Sequence, residues 1–248
     1  MPPAAYRAYQ PLGDLKPVAA DVWIADGPEI RLCYGPLRMP FPTRMTVVRL
    51  SGGGVWVHSP IELDAKLAAR VESLGRVAYL VAPNTIHYWW VRDWKERFPG
   101  AEVWSVPRLA ARAQGRMPAY QALGPRAPQA WCDEIDQVTV EGSALMEAVF
   151  FHRPSATLII TDLIENFEDD RFESRFYRVL AHLGGVIDPD GRAPCDLRAT
   201  FRRSRPQMRA AVERMIAWNP ERVIIAHGRW YTSKGTDELK RAFRWVLG

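Results

Sequence analysis

The strongest constraint on the fold is a change of rhythm along the chain. Asp21 to Ala25 and Met45 to Leu50 are short, apolar, β-branched runs, and Gly52-Gly53-Gly54 turns the chain into a third such run, Val55 to His58. Each has the length and composition of a strand bounded by turn residues. Leu63, Leu67, Val71 and Leu74 then recur at helical spacing, before Val77 to Val81 returns to a buried-strand pattern. Tyr88 to Phe98 is helical in period and stops at Pro99-Gly100, and Ala101 to Val106 is a strand again. After a polar, Pro-rich loop from Pro107 to Pro128, the alternation ends. Asp136 to Glu141, Ala148 to Phe151 and Thr157 to Thr161 follow one another with only turns between them, at Gly142 and at Arg153-Pro154. This is a meander, and the chain has left simple βαβ winding.

Beyond Asp162 the pattern predicts helices over Asp170 to Leu183 and Pro206 to Trp218. The loop between them, Gly184 to Arg205, is rich in Gly, Pro and charged residues, and its length marks it as a mobile lid or binding loop. Arg222 to Ala226 predicts a last buried strand leading into His227-Gly228, and Thr236 to Leu247 an amphipathic closing helix. No repeat or linker divides the chain, so a single domain over 1–248 is expected.

The 48% apolar and 25% charged fractions of the 248 residues are those of a globular protein with a sizeable core. Met1 to Val18 contains Arg7 and Lys16 and no continuous apolar stretch, which predicts neither a signal peptide nor an anchor. No window approaches ~18 apolar residues, so no membrane span is expected. Cys33, Cys132 and Cys195 are odd in number and far apart, which disfavours a disulfide framework or a cysteine zinc site and fits a reducing cytoplasm. The net charge of +5 comes mainly from arginines scattered among Asp and Glu. Nucleic acid is therefore not an expected partner, and a small-molecule substrate is.

Several segments carry more than composition. They are Pro42-Thr43-Arg44-Met45, Val55-Trp56-Val57-His58-Ser59-Pro60, Ala82-Pro83-Asn84-Thr85-Ile86-His87, Phe151-His152-Arg153-Pro154, Thr161-Asp162-Leu163 and Ala226-His227-Gly228. In this order and spacing the chain, from about Leu15 onward, resembles the metallo-β-lactamase superfamily, in particular its DUF4336 branch. The resemblance implies a four-layer αββα sandwich and a metal cleft at one edge. The superfamily's His-x-His-x-Asp-His motif is eroded here. With His87 on its final His, Ala82, Asn84 and Ile86 occupy the positions of the first His, the second His and the Asp. With Asp162 on the strand-end Asp, Ser143 falls where a later His stands, and His227 matches the last His. His58 falls where a supporting Asp is common.

The ligands this resemblance leaves are His87, Asp162 and His227, enough for at most one divalent metal, zinc or iron. Two imidazoles and a carboxylate leave open positions for water or substrate. A buried carboxylate between two imidazoles is equally well satisfied by a hydrogen-bonded His-Asp-His network, and both readings stand. Asp162 would orient water, with His58 a second ligand, a proton carrier or a supporting partner. Asn84, Trp89 and Trp90 are candidate substrate contacts, the tryptophans as an aromatic wall or, with Trp94, as core. Arg198, Arg202, Arg203 and Arg205 are a candidate anion clamp or simply a solvated loop. His152 and His182 are expected at a turn and on a helix surface. The functional readings are a mononuclear metallohydrolase acting on an ester, lactone, amide or phosphoester; an Fe(II) oxidoreductase; and a metal-free binding protein on the same scaffold.

Overall fold

The computed structural model describes residues 5–34 and 37–248. A seven-stranded sheet takes its strands in chain order: β1 (Lys16–Ala19), β2 (Val22–Tyr34), β3 (Leu37–Arg49), β4 (Gly54–His58), β5 (Arg76–Ala82), β6 (Glu102–Ser105) and β7 (Gln121–Ala122). The first four are antiparallel neighbours, and β4 to β7 run parallel. Two parallel crossovers are made by helices α1 (Ala65–Glu72) and α2 (Val91–Arg97), and the polar loop that follows carries α3 (Leu109–Ala113). Asp64 caps α1, its Oδ1 accepting the Leu67 N–H at 2.7 Å, and the helix buries Leu67, Ala68 and Val71.

The meander builds a second sheet from β8 (Ile135–Glu141), β9 (Met146–His152) and β10 (Thr157–Ile159), with β12 (Arg222–Ile224) added parallel to β10. Period-two alternation on β9 sorts its side chains. Ala148 and Phe150 join the core shared with the first sheet, while Val149 and Phe151 join a second core under α6 (Arg205–Ala217), α7 (Gly235–Ala242) and α8 (Arg244–Leu247). The layers are therefore helix, sheet, sheet, helix, the αββα sandwich expected. Trp56 on β4 packs edge-on against Phe150 with ring centroids 5.0 Å apart. Burying one such ring contributes roughly 2–3 kcal/mol.

The strand and helix expectations hold with shifted ends. β2 and β3 are longer than predicted and form an extended hairpin, and the closing helix divides at Phe243 into α7 and α8. The segment expected as a loop from Gly184 to Arg205 contains α5 (Cys195–Thr200). It follows α4 (Arg175–Gly184). A two-stranded parallel pair, β11 (Glu165–Asn166) with β13 (His227–Gly228), closes the edge where these segments meet. Gly228 has φ +94°, and a Cβ there would fall on the Asn166 backbone, so only glycine lets the two strands approach. No helix among the described residues is long and apolar enough to cross a membrane.

Candidate metal centre

Three strand ends deliver the centre. His87 lies in the loop after β5, Asp162 follows β10, and His227 begins β13. Their donor atoms form a triangle. The Nε2 atoms of His87 and His227 are 3.2 Å apart, and Asp162 Oδ1 is 3.3 Å from the first and 3.1 Å from the second. A tetrahedral ion with donors at ~2.0–2.1 Å holds them about 3.3 Å from one another. The residues present fit such an ion, with one coordination position lacking a protein donor.

Each ring is oriented from behind. His227 Nδ1 donates to the Pro42 carbonyl at 2.7 Å, which fixes the proton on that nitrogen. A neutral His227 therefore turns a bare Nε2 lone pair toward an oxygen that can only accept. Two such acceptors at 3.1 Å call for a positive centre near both, which a bound cation or an N–H on His87 Nε2 supplies. His87 Nδ1 is held by Ser59 Oγ at 2.7 Å. Ser59 itself sits at φ +52°, a left-handed conformation that costs about 1–2 kcal/mol and is fixed by its N–H bonding Val81 O at 2.9 Å. Arg44 explains the Pro42-Thr43-Arg44-Met45 signature. Its guanidinium pairs with buried Asp26 at 2.7 Å and donates to the carbonyls of Ile225 and Gly228 at 2.9 and 2.8 Å, which pins the strand end bearing His227.

Burial alone would raise the Asp162 carboxyl, but the two imidazoles hold it well below the usual carboxylate range. Burial likewise disfavours a charged His87, and the Asp162 carboxylate outweighs it and raises that ring.

The structure places other expected site residues elsewhere. Asn84 is fully buried and does not line the cavity above the triangle, which corrects its assignment as a substrate contact. Its Oδ1 accepts the N–H groups of Ile86 and His87 at 2.7 and 2.8 Å, and its Nδ2 donates to Asp162 Oδ2 at 2.6 Å. It shapes the His87 loop and orients the carboxylate. His58 is also buried, stacked on Trp56 at 5.4 Å and edge-on to Phe150, and it too is absent from the cavity wall. Strand alternation sends His58 into the core and its neighbour Ser59 to the cleft, so a ligand or proton-carrier role for His58 has no geometric support. Burial pushes its imidazole down to about 3.

Ser143 is exposed at the turn between β8 and β9, its N–H on the Thr200 carbonyl. The side chain beneath the centre is Glu147, which the sequence reading missed. Fully buried on β9, it accepts the Thr161 and Asp162 N–H groups at 2.8 and 3.0 Å and Asn84 Nδ2 at 3.2 Å. Burial, with Asp162 adding to it, pushes its carboxyl up to about 7. A lone charge inside the apolar run Met146 to His152 was the available signal.

Trp89 and Trp90 do line the cavity, a space of about 310 Å³ that also meets Ile61, Ile86, Phe41 and, from the α5 segment, Pro194, Asp196, Leu197 and Thr200. Trp94 is core, its Nε1 donating to Ile61 O. His152 is buried at the end of β9 with Nδ1 on Ser155 Oγ, and His182 is exposed beside Asp169. Glu165, also missed, lines the cavity beside His227, and burial, then Asp162 and Asp196, raise its carboxyl well above the ordinary range.

Known proteins agree with this architecture. A family model described as "Domain of unknown function (DUF4336)" matches residues 33–175. No curated protein sequence matches. Solved structures do. A metallo-β-lactamase from Pontibacter korlensis is 12% identical with a TM-score of 0.60, over 95% of this chain and 99% of that one. One from Hirschia baltica is 15% identical with a TM-score of 0.60, over 94% and 97%. The metallo-β-lactamase FIM-1 from Pseudomonas aeruginosa, in a mono-zinc form, is 12% identical with a TM-score of 0.59, over 99% of each chain. At these identities the likeness speaks for the fold, and with the family match it gives the conclusion that the chain has the metallo-β-lactamase fold and belongs to the DUF4336 family.

Proposed function

We propose that the protein is a hydrolase with one divalent metal, held by His87, Asp162 and His227, acting on an ester, lactone, amide or phosphoester of a small molecule. The observation that carries this reading is the donor triangle, with edges of 3.1 to 3.3 Å, under a cavity of about 310 Å³. A bound zinc or iron ion supplies Lewis acidity, polarising a carbonyl or phosphoryl oxygen and bringing the acidity of water toward neutrality. The protein's part is placement. Ser59 and Pro42 lock both imidazoles with Nε2 toward the centre, and Asn84 occupies the second Asp162 oxygen so that the first faces inward. Ile61, Ile86 and Phe41 exclude bulk water, and Trp89 with Trp90 offer a flat apolar wall to the substrate.

The test is elemental analysis of protein purified without chelator, followed by assays on aryl esters, lactones and phosphodiesters before and after metal removal. Turnover lost on chelation and restored by one equivalent of metal is expected. Turnover that survives both chelation and Asp162→Ala would sink the proposal. The donor set also favours a second reading, Fe(II) oxygen chemistry, because two His and one carboxylate are the ligands of non-haem iron oxygenases. Iron as the native metal together with substrate-dependent oxygen uptake would select it.

A further inference from the structure

The cavity over the donor triangle does not end at its own wall. A second cavity of about 290 Å³ adjoins it, and Phe41, Glu165, Pro194 and Asp196 line both. The second space is otherwise mainly hydrocarbon, including Met39, Phe172, Leu180 and Val186. Two carboxylates thus stand at the junction of two largely apolar spaces.

Glu165 is the anomaly. It is 6% exposed, yet among the described residues its carboxylate has no hydrogen bond and no ion pair. Asp196, exposed on the α5 segment, has no basic partner among them either, and the two carboxylates act on each other electrostatically. A buried carboxylate left unpaired costs several kcal/mol. A cation placed between the two favours the charged form of both. Among the described residues no Lys or Arg pairs with either carboxylate, Arg112 lining the first cavity without an ion pair to them. An inorganic ion is a poor occupant, because the only cluster of three or more metal-ligating side chains among the described residues is His87, Asp162 and His227. An organic ammonium needs no third ligand, and its carbon chain suits the adjoining space.

We propose that the two cavities together bind an ammonium compound, its cationic nitrogen between Glu165 and Asp196 and its apolar arm in the second cavity. As a statement about substrate this rests on the hydrolase reading, and it narrows that reading to amine-bearing esters, lactones, amides or phosphoesters. As a statement about binding it stands apart from any metal.

Calorimetric titration of the full chain, stripped of metal by chelation, with n-butyl-, n-hexyl- and n-octylammonium tests it against the alcohols and carboxylates of the same lengths. The ammonium series should bind at least tenfold tighter than either control, and each added methylene should tighten it by up to about fourfold. Glu165→Gln should erase the preference over the alcohol while leaving alcohol affinity unchanged. Asp196→Asn, at an exposed position where folding is not at stake, should weaken the ammonium ligands severalfold. Alcohols that bind as well as ammonium, ammonium affinity indifferent to both variants, or displacement of ammonium by millimolar Ca²⁺ would each overturn the proposal. The two proposals fail separately: loss of metal-dependent turnover leaves these titrations unchanged, and failed titrations leave metal-dependent turnover standing.

Discussion

The two sides of Asp162 solve the same problem in opposite ways. On one side, Oδ1 meets the Nε2 atoms of His87 and His227, and with Pro42 fixing the His227 proton on Nδ1, at least two of the three present acceptors to a common point when His227 is neutral. On the other, Oδ2 takes the Asn84 amide, which also gives to Thr161 Oγ1 at 2.8 Å and to Glu147, while Glu147 accepts two backbone N–H groups. On the Asn84 side every one of these oxygens has a donor within 3.2 Å. A polar cluster satisfied by its own chain is framework, whereas one whose donors and acceptors do not match is a site.

The contrast is most exposed to metal titration. The parent should take up one equivalent and no second, and Asp162→Ala should weaken it by about a thousandfold or more, since a carboxylate ligand and the charge balance go together. Two tight equivalents would show that the Asn84 side is a metal site after all.

The next largest effect belongs to the framework. Glu147→Ala leaves two buried N–H groups without their acceptor and should cost about 3 kcal/mol or more in urea unfolding, with Glu147→Gln costing roughly half as much. Equal unfolding midpoints for parent and Glu147→Ala would dissolve the distinction between framework and site.

Ser59→Ala should behave in the opposite manner. It removes the partner of His87 Nδ1 and should lower metal affinity about 10- to 100-fold with little change in stability. A stability loss as large as that of Glu147→Ala would place Ser59 in the framework.

The smallest expected effect near neutrality comes from His58. Its folded-state affinity for protons is depressed to about 3 from the ordinary 6.5, so the unfolded chain binds more protons between those values. The stability associated with neutral His58 is full above 6.5 and declines as pH falls toward 3. Between pH 6.5 and 5.5 the decline should be about 1 kcal/mol. His58→Phe should remove that increment of the pH dependence, and an unchanged slope would show that His58 is not a buried neutral ring.

What the sequence made legible follows from which interactions are local. The strands, the crossovers and the glycine after His227 depend on period, turn residues and backbone sterics, all written within a few residues. His87, Asp162 and His227 came only through resemblance, since nothing in local spacing joins them. Ser143 was placed by setting Asp162 on the strand-end Asp, and it lies at an exposed turn, whereas Glu147 four residues on reaches the backbone beneath the centre. Asn84, at the position of the second His, was read as a substrate contact, whereas an Asx-type turn on the Ile86 and His87 N–H groups directs its amide inward. Glu165 follows Leu163-Ile164 as a charge at the end of an apolar run, and its meaning appears only once β11 pairs with β13.

The link between His227 and the first hairpin also sets an order of manufacture. His227 Nδ1 rests on Pro42, 185 residues earlier, and Arg44 reaches Gly228 across 184. During synthesis, Pro42, Arg44, His87 and Asp162 all leave the ribosome well before the ligand that completes them. Contacts of such long separation close late. On the proposed metal reading, a nascent chain that still lacks His227 carries only two of the three donors, too few to hold an ion firmly, so loading follows the synthesis of His227.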